Sequence, residues 1–138
     1  MARILVVDDD RAIRELLSFA LAFEGHTVAT LSDGAEVIAV LAAMREPCIV
    51  LLDVMMPEVD GWEVCRRLEA EPALLRHRVI LMTACPPQDD AYPPAVSALM
   101  RKPFELDRLT QVIAKLAAEV ETPIMLPALD CERLPQAV

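Results

Sequence analysis

Three aspartates follow two short apolar runs of the sequence in a pattern that suits a divalent cation. Asp8 and Asp9 come directly after an apolar run over residues 4–7, and Asp53 follows a run over residues 49–52. Carboxylates a few ångströms apart cannot all stay ionised unless a cation joins them. Hard oxygen ligands select Mg²⁺, which usually keeps some of its waters. The sequence therefore predicts a magnesium site wherever these two runs end side by side.

A hydroxyl and an ammonium group follow two later apolar runs. Thr83 comes after residues 79–82, and Lys102, which precedes Pro103, comes after residues 96–100. If all these runs are parallel strands of one sheet, their carboxyl ends open on a common crevice. We expect Thr83 and Lys102 to point into that crevice and to hold an anionic group bound to the magnesium.

These side chains meet only if the apolar runs form one sheet. The runs alternate with segments of helical periodicity, and the first, third and fourth are continuously apolar, which is typical of parallel strands buried on both faces. We predict an α/β fold, a doubly wound three-layer sandwich with a five-stranded parallel sheet of order 2-1-3-4-5. The predicted strands cover residues 4–7, 27–31, 49–52, 79–82 and 96–100.

Apolar residues at helical spacing predict four helices, over residues 11–24, 34–45, 61–69 and 105–121. Asp10 is expected to cap the first of them and Asp60 the third. Residues 86–95 contain four prolines where a further helix would connect strands four and five. Because a proline inside a helix costs about 3 kcal/mol, we expect that connecting helix, the fourth of such a fold, to be short or absent.

Composition excludes several classes of protein. The chain has 138 residues, 55% of them apolar, with a net charge of −9, which fits one globular domain. No apolar stretch approaches the roughly 18–20 residues of a membrane span, and the N-terminus does not resemble a secretory signal, so we expect a cytoplasmic protein without membrane contact. The acidic charge and the lack of a Lys/Arg cluster argue against direct nucleic-acid binding.

Three further residue types receive structural interpretations. The four cysteines form no C-x-x-C pair and are expected to be reduced thiols. His26 and His77 have no supporting partners in the sequence and are predicted to lie on the surface. Trp62 is expected to be partly buried on the third helix.

The ordered motifs resemble the receiver domain of two-component response regulators of the chemotaxis-regulator type. The matching motifs are ILVVDDD at residues 4–10, LLDVMMPEVDGWE at 51–63, LMTA at 81–84 and RKPF at 101–104. The resemblance covers roughly residues 2–121 and implies a flavodoxin-like fold. It also implies a domain that is not an enzyme in its own right but assists its own phosphorylation and dephosphorylation.

The resemblance assigns a role to each candidate residue. Asp53 would accept a phosphoryl group from a sensor histidine kinase or a phosphotransfer protein. Asp8 and Asp9 would hold Mg²⁺ together with Asp53 and the backbone carbonyl of Met55. Thr83 would bond a phosphoryl oxygen, and Lys102 would form an ion pair with the phosphoryl group.

The sequence departs from the family pattern near the site. Leu99 replaces the aromatic residue usually found three positions before the lysine. Met55 and Cys85 occupy positions where polar residues of other members help to position a hydrolytic water. These departures leave the phosphorylation residues in place but put the usual output surface in doubt.

The domain boundaries lead to an expectation about output. We assign residues 1–121 to the receiver and residues 122–138 to a proline-rich tail without an effector domain. A stand-alone receiver of this kind would signal through an unknown downstream protein partner.

Two other functions remain open. A pseudo-receiver would keep the fold as an interaction module without phosphorylation. A phosphatase of the haloacid dehalogenase type would also use a strand-end Asp, a Thr, a Lys and Mg²⁺, and Asp8 and Asp10 form its Asp-x-Asp pattern. Against it, Ala12 stands where that family has Thr or Val, and the acidic pair at residues 89–90 follows no strand.

Overall fold

The computed structural model describes residues 2–85 and 93–121, except for the side chains of residues 120 and 121. Its five strands form one parallel sheet of order β2-β1-β3-β4-β5, which confirms the predicted fold class and strand order. The strands are β1 Arg3–Val7, β2 Thr27–Leu31, β3 Ile49–Asp53, β4 Arg78–Thr83 and β5 Val96–Arg101. Asp53 and Thr83 are thus the last residues of their strands.

Four α-helices occur in the described ranges: α1 Arg11–Phe23, α2 Val37–Ala43, α3 Gly61–Glu69 and α4 Leu106–Glu121. A short 3₁₀ helix covers Pro72–Arg76. Residues 84–85 and 93–95, between β4 and β5, are not helical. The expectation of a short or absent helix at this place falls mainly on residues 86–92, which lie outside the described residues.

Helix α2 is shorter than predicted at both ends. The predicted start at residue 34 is wrong because the Asp33 side chain accepts a hydrogen bond from the Ala35 amide at 2.8 Å, which forms a turn before the helix. The predicted end at residue 45 is wrong because Met44 has extended backbone angles and its carbonyl accepts a hydrogen bond from the Arg76 guanidinium. Local periodicity cannot reveal either contact.

Each face of the sheet carries a helix layer, because alternate strand residues point to opposite faces. Helices α2 and α3 cover one face and α1 and α4 the other. The first layer packs Val37, Leu41, Val64 and Leu68 on the odd-numbered residues of β1, while the second packs Leu17, Leu21, Leu109, Ile113 and Leu116 on the even-numbered ones. This three-layer packing buries the strands on both faces.

The predicted surface position is wrong for His77 and correct only in part for His26. His77 is only 2% exposed, and its Nδ1 accepts a hydrogen bond from the Cys48 amide at 3.0 Å. Its Nε2 lies 3.2 Å from the Leu41 carbonyl oxygen, so a neutral ring donates there and satisfies both nitrogens. His26 is half-buried and accepts a hydrogen bond from the Ala2 amide at 3.0 Å. Trp62 is partly buried, as predicted.

The buried ring of His77 predicts a pH-dependent stability. Burial, together with the nearby Arg76 charge, lowers the pKa of His77 from its usual 6.5. Its contribution to stability is therefore present above about pH 6.5 and is lost as the pH falls through the lowered pKa. We expect the free energy of unfolding in urea to decrease over this range, and the decrease to be smaller in a His77→Gln variant. An identical pH profile in both proteins would contradict this assignment.

Candidate functional site

The carboxyl ends of β1 and β3 bring three acidic side chains together. Val7 pairs with Leu52 in the sheet register, so Asp8 and Asp53 lie at the same level. Asp8 is 1% exposed and Asp53 is 4% exposed, whereas Asp9 is exposed. One carboxylate oxygen from each of the three lies within 4.8 Å of the others. Three hard oxygen ligands therefore surround one point at the edge of the sheet.

Lys102 reaches this acidic cluster from the end of β5. Its Nζ lies 3.2 Å from Asp53 Oδ1 and 3.5 Å from Asp8 Oδ2. The Lys102 backbone amide donates to the Thr83 carbonyl oxygen at 2.8 Å, and the Lys102–Pro103 peptide bond is cis. Burial acts to lower the pKa of Lys102, but the charges of Asp8 and Asp53 outweigh it and raise this pKa. The lysine is therefore a cation at neutral pH.

The environment of Asp8 disfavours its negative charge. Burial is the main cause of its raised pKa, and the charges of Asp53 and Asp9 add to it. The Asp10 amide, which donates to Asp8 Oδ1 at 2.9 Å, and Lys102 act in the opposite direction. Asp8 Oδ2 is buried and accepts no hydrogen bond from the described residues. The Lys102 ammonium alone thus does not neutralise the negative charge of Asp8, and a second cation beside this carboxylate would stabilise it.

Asp53 has one carboxylate oxygen occupied by protein contacts. Within the described residues, Lys102 and the Met55 amide, at 3.4 Å, both contact Oδ1. The other oxygen, Oδ2, receives no hydrogen bond or ion pair from that part of the chain. This arrangement leaves an acceptor oxygen available to a reactant or a metal ion.

Thr83 and Met55 lie at the same edge of the sheet. Thr83 is 2% exposed, and its Oγ1 accepts a hydrogen bond from the Cys85 amide at 3.1 Å. Because this bond uses an oxygen lone pair, the hydroxyl proton stays free to be donated. Met55 has an exposed side chain and follows Asp53 by two residues, which explains its backbone contact with that carboxylate.

Arg14 supports the acidic cluster from helix α1, and the sequence reasoning missed it. Its Nη1 donates to the Asp8 carbonyl oxygen at 2.7 Å. Asp10 caps the same helix by accepting from the Ala12 amide at 2.9 Å and from the Ile13 amide at 3.4 Å, as predicted. Together these bonds hold the turn that carries Asp8 and Asp9. The sequence signal for this contact was a basic residue in the first turn of the helix that follows the three aspartates.

Asp60 caps α3, as predicted, by accepting a hydrogen bond from the Glu63 amide at 2.9 Å.

Gly61, the first residue of α3, packs closely against the backbone of Asp53, and this contact leads to a prediction about stability. A Cβ at Gly61 would lie 2.8 Å from the Asp53 carbonyl oxygen and 2.9 Å from Val54 Cα, and both of these are backbone atoms. We expect a Gly61→Ala variant to lose about 1–3 kcal/mol of unfolding free energy, measured in urea. An unchanged stability would show that α3 can shift away from β3 without cost.

The family comparison identifies the class of protein. The family model of the response regulator receiver domain matches residues 4–114. The chain therefore belongs to the receiver domains of two-component response regulators, as the motifs predicted. Members of this family bind Mg²⁺ through acidic residues, are generally not catalytic enzymes, and interact with a histidine kinase or a phosphotransfer partner.

The similar curated proteins include the response regulator MprA of Mycobacterium ulcerans (strain Agy99). It is 54% identical to this chain over 68 residues, which are 49% of this chain and 29% of MprA. MprA of Mycobacterium avium (strain 104) is 53% identical over the same length. The match thus spans less than a third of these relatives.

Solved structures show the same architecture over most of the chain. The response regulator TrrA of Thermotoga maritima, solved in complex with Mg²⁺-BeF, is 33% identical, with a TM-score of 0.72 over 84% of this chain and 99% of TrrA. The receiver domain of a histidine kinase from Syntrophus aciditrophicus is 27% identical, with a TM-score of 0.78 over 95% of this chain and 100% of that domain. Every helix within residues 2–85 and 93–121 is too short or too polar to span a bilayer.

Proposed function

We propose that this chain is a phosphorylation-dependent receiver that accepts a phosphoryl group on Asp53 with the help of Mg²⁺. The donor is a sensor histidine kinase or a phosphotransfer protein. One observation carries the proposal: the carboxylates of Asp8, Asp9 and Asp53 converge within 4.8 Å, with the Lys102 ammonium 3.2 Å from Asp53. An acidic cluster next to a half-buried cation suits charge neutralisation during phosphoryl transfer better than a purely structural role.

The donor set fits a magnesium ion. Its members are hard oxygen atoms, and within the described residues the buried Asp8 Oδ2 accepts no hydrogen bond and lies 3.5 Å from the Lys102 ammonium. Asp8, Asp9 and Asp53 would hold the ion with the backbone carbonyl of Met55. When bound, Mg²⁺ neutralises charge on the phosphoryl oxygens. The TrrA structure with Mg²⁺-BeF supports this assignment by similarity.

The residues of the chain itself perform the transfer by position and charge. A carboxylate oxygen of Asp53 forms a bond to phosphorus while the bond from phosphorus to the donor breaks, which leaves an acyl phosphate. The Lys102 ammonium lies beside Asp53 and pairs with the incoming negative charge. The Thr83 hydroxyl keeps its Cys85 contact and donates a hydrogen bond to a phosphoryl oxygen. Catalysis of this kind needs positioned charges and no added base.

We assign residues 1–121 to the receiver and residues 122–138 to a proline-rich C-terminal segment.

Charge and cysteine chemistry support proposals about the partner and the location of the protein. A net charge of −9 favours a downstream protein partner over nucleic acid. Cys48 and Cys65 are buried free thiols, and burial raises the pKa of each to about 12, which keeps them protonated. Free thiols fit the reducing cytoplasm, where we place this protein.

One labelling experiment tests the proposed function. The chain is incubated with acetyl phosphate and Mg²⁺, the acyl phosphate is trapped chemically, and the modified residue is located by mass spectrometry. We expect the label on Asp53 and no label in a Asp53→Asn variant or in the presence of EDTA. A label on Asp8 would indicate a phosphatase of the haloacid dehalogenase type, and no label at all would indicate a pseudo-receiver.

A further inference from the structure

Helix α1 has a second apolar face that the sheet does not cover. Ala12, Leu16, Phe19 and Phe23 follow one another at spacings of four, three and four residues, so they share one side of the helix. Leu16 is 57% exposed, Phe19 77% and Phe23 85%, while the core-facing Leu17 and Leu21 are buried. We call these four residues the α1 stripe. Exposed aromatic side chains aligned on one helix face are typical of a surface that makes a further contact.

The α1 stripe continues into a groove between α1 and the start of α4. This groove has a volume of about 400 Å³, and Leu16 lines it together with Phe104 and Leu106. Lys102 closes it on the side of the acidic cluster. Leu16 therefore lies on the side of α1 that faces α4, whereas Phe19 lines a second hollow on the side of β2, together with Arg14 and Thr30.

Helices α1 and α4 run side by side in the same direction. Both pack on the same face of the sheet, through Leu17 and Leu21 of α1 and Ile113 and Leu116 of α4. Each helix begins next to the carboxyl ends of the strands and runs back toward their amino ends. Phe23, the last residue of α1, and Glu121, where α4 ends, thus lie at the same edge of the molecule.

We propose that the C-terminal segment, residues 122–138, folds back and packs its apolar side chains on the α1 stripe. This segment lies outside the described residues, and it follows directly on the helix beside α1. Ile124, Met125, Leu126 and Leu129 give its first half more apolar surface than a solvated peptide needs. The proposal concerns packing within the chain and does not rest on the proposed function.

The length of the chain suits this path. Packed neighbouring helices lie about 8–10 Å apart. The three residues from Glu121 to Ile124 span about 10 Å when extended, which brings the apolar group at 124–126 to Phe23. From Phe23 back to Leu16 is about 10 Å along the helix axis, and the three extended residues from Leu126 to Leu129 span the same distance.

The native Cys131 allows a direct test in the full chain. Cys48 and Cys65 are buried, so a Cys85→Ser background leaves Cys131 as the accessible thiol for a nitroxide spin label. We expect loss of amide peak intensity along α1 and none along α3, which lies on the opposite face of the sheet. Substituting Leu126→Ser and Leu129→Ser together should restore the α1 intensities, while the control Ala128→Ser should not.

Other results would overturn the proposal. Unchanged α1 intensities, or equal losses along α1 and α3, would show that the segment does not lie on the stripe. Losses that appear only when spin-labelled chains are mixed with isotope-labelled chains would show that a second copy covers it. A Phe19→Ser variant keeps the core intact, because Phe19 is exposed, and should release the label from α1 if the packing is correct.

Discussion

Replacing Asp8 by asparagine is expected to stabilise the fold without divalent cations and to abolish its stabilisation by Mg²⁺. Asp8 is buried, its Oδ2 accepts no hydrogen bond within residues 2–85 and 93–121, and burial with the nearby Asp53 charge raises its pKa. A neutral amide removes this penalty, which we expect to be about 1 kcal/mol or more. It also removes a metal ligand, so Mg²⁺ at a hundred times its dissociation constant should no longer contribute about 2.7 kcal/mol.

Urea unfolding in EDTA and in Mg²⁺ measures both effects. Asp10→Asn is the matched control, because Asp10 is exposed, caps α1 and carries the same charge. It should change stability slightly and keep the full response to Mg²⁺, since asparagine is also a good helix cap. An Asp8→Asn chain that is less stable in EDTA, or that responds to Mg²⁺ like the native chain, would contradict the metal assignment.

The sign of the pH dependence provides a second check on Asp8. Because its pKa is raised in the fold, native Asp8 favours folding below its usual 3.8, and this contribution is lost as the pH rises through the raised value. The stability gained by Asp8→Asn in EDTA should therefore be largest near neutral pH and should shrink in acid. A stability gain independent of pH would show that it does not arise from the charge of the Asp8 carboxylate.

Replacing Lys102 by methionine should slow the labelling of Asp53 by acetyl phosphate by about 10²–10³-fold, the usual cost of losing one group that stabilises transition-state charge. Lys102 is the one cation of the described residues that contacts both Asp8 and Asp53. Methionine keeps the apolar stem, so the loss concerns the charge. The reaction is followed as the rate of acyl phosphate formation at fixed Mg²⁺.

Two comparisons separate this effect from damage to the fold. Lys115→Met changes the other lysine of the chain, on α4, and should label at the native rate. Mg²⁺ should bind Lys102→Met at least as tightly as the native chain, because the ammonium no longer competes for the carboxylates. A labelling rate within a few-fold of native, in a folded Lys102→Met chain, would remove Lys102 from the proposed mechanism.

Local sequence properties predicted the framework well. Continuous apolar runs identified β1, β3 and β4 because both faces of these strands are buried, so no polar alternation interrupts them. Asp10 and Asp60 were predicted as helix caps because a cap acts within three residues of itself. The aspartates directly after two apolar runs predicted the acidic edge of the sheet, because parallel strands end at the same side of a sheet.

Contacts between distant segments were not predictable in the same way. Helix α2 is shorter than the apolar periodicity predicted. Asp33 forms a turn before the helix, and Arg76, which follows β3 in the chain, donates to the Met44 carbonyl where the helix ends. His77 was misplaced on the surface because its partners, at Leu41 and Cys48, lie far away in sequence. Arg14 was missed because its hydrogen bond to the Asp8 carbonyl oxygen depends on the orientation in which α1 packs on the sheet.

The residue types, their order and the strand ends that carry them were readable from the chain alone, because they depend on short-range periodicity and on the geometry of a parallel sheet. The tertiary structure decided which charges meet and which remain uncompensated. Lys102 lies 49 residues from Asp53 in the chain, and its 3.2 Å contact exists only after β5 has paired with β4. Burial of Asp8 and the open stripe on α1 likewise arise only when helices and sheet pack together, since exposure is a property of the packed molecule.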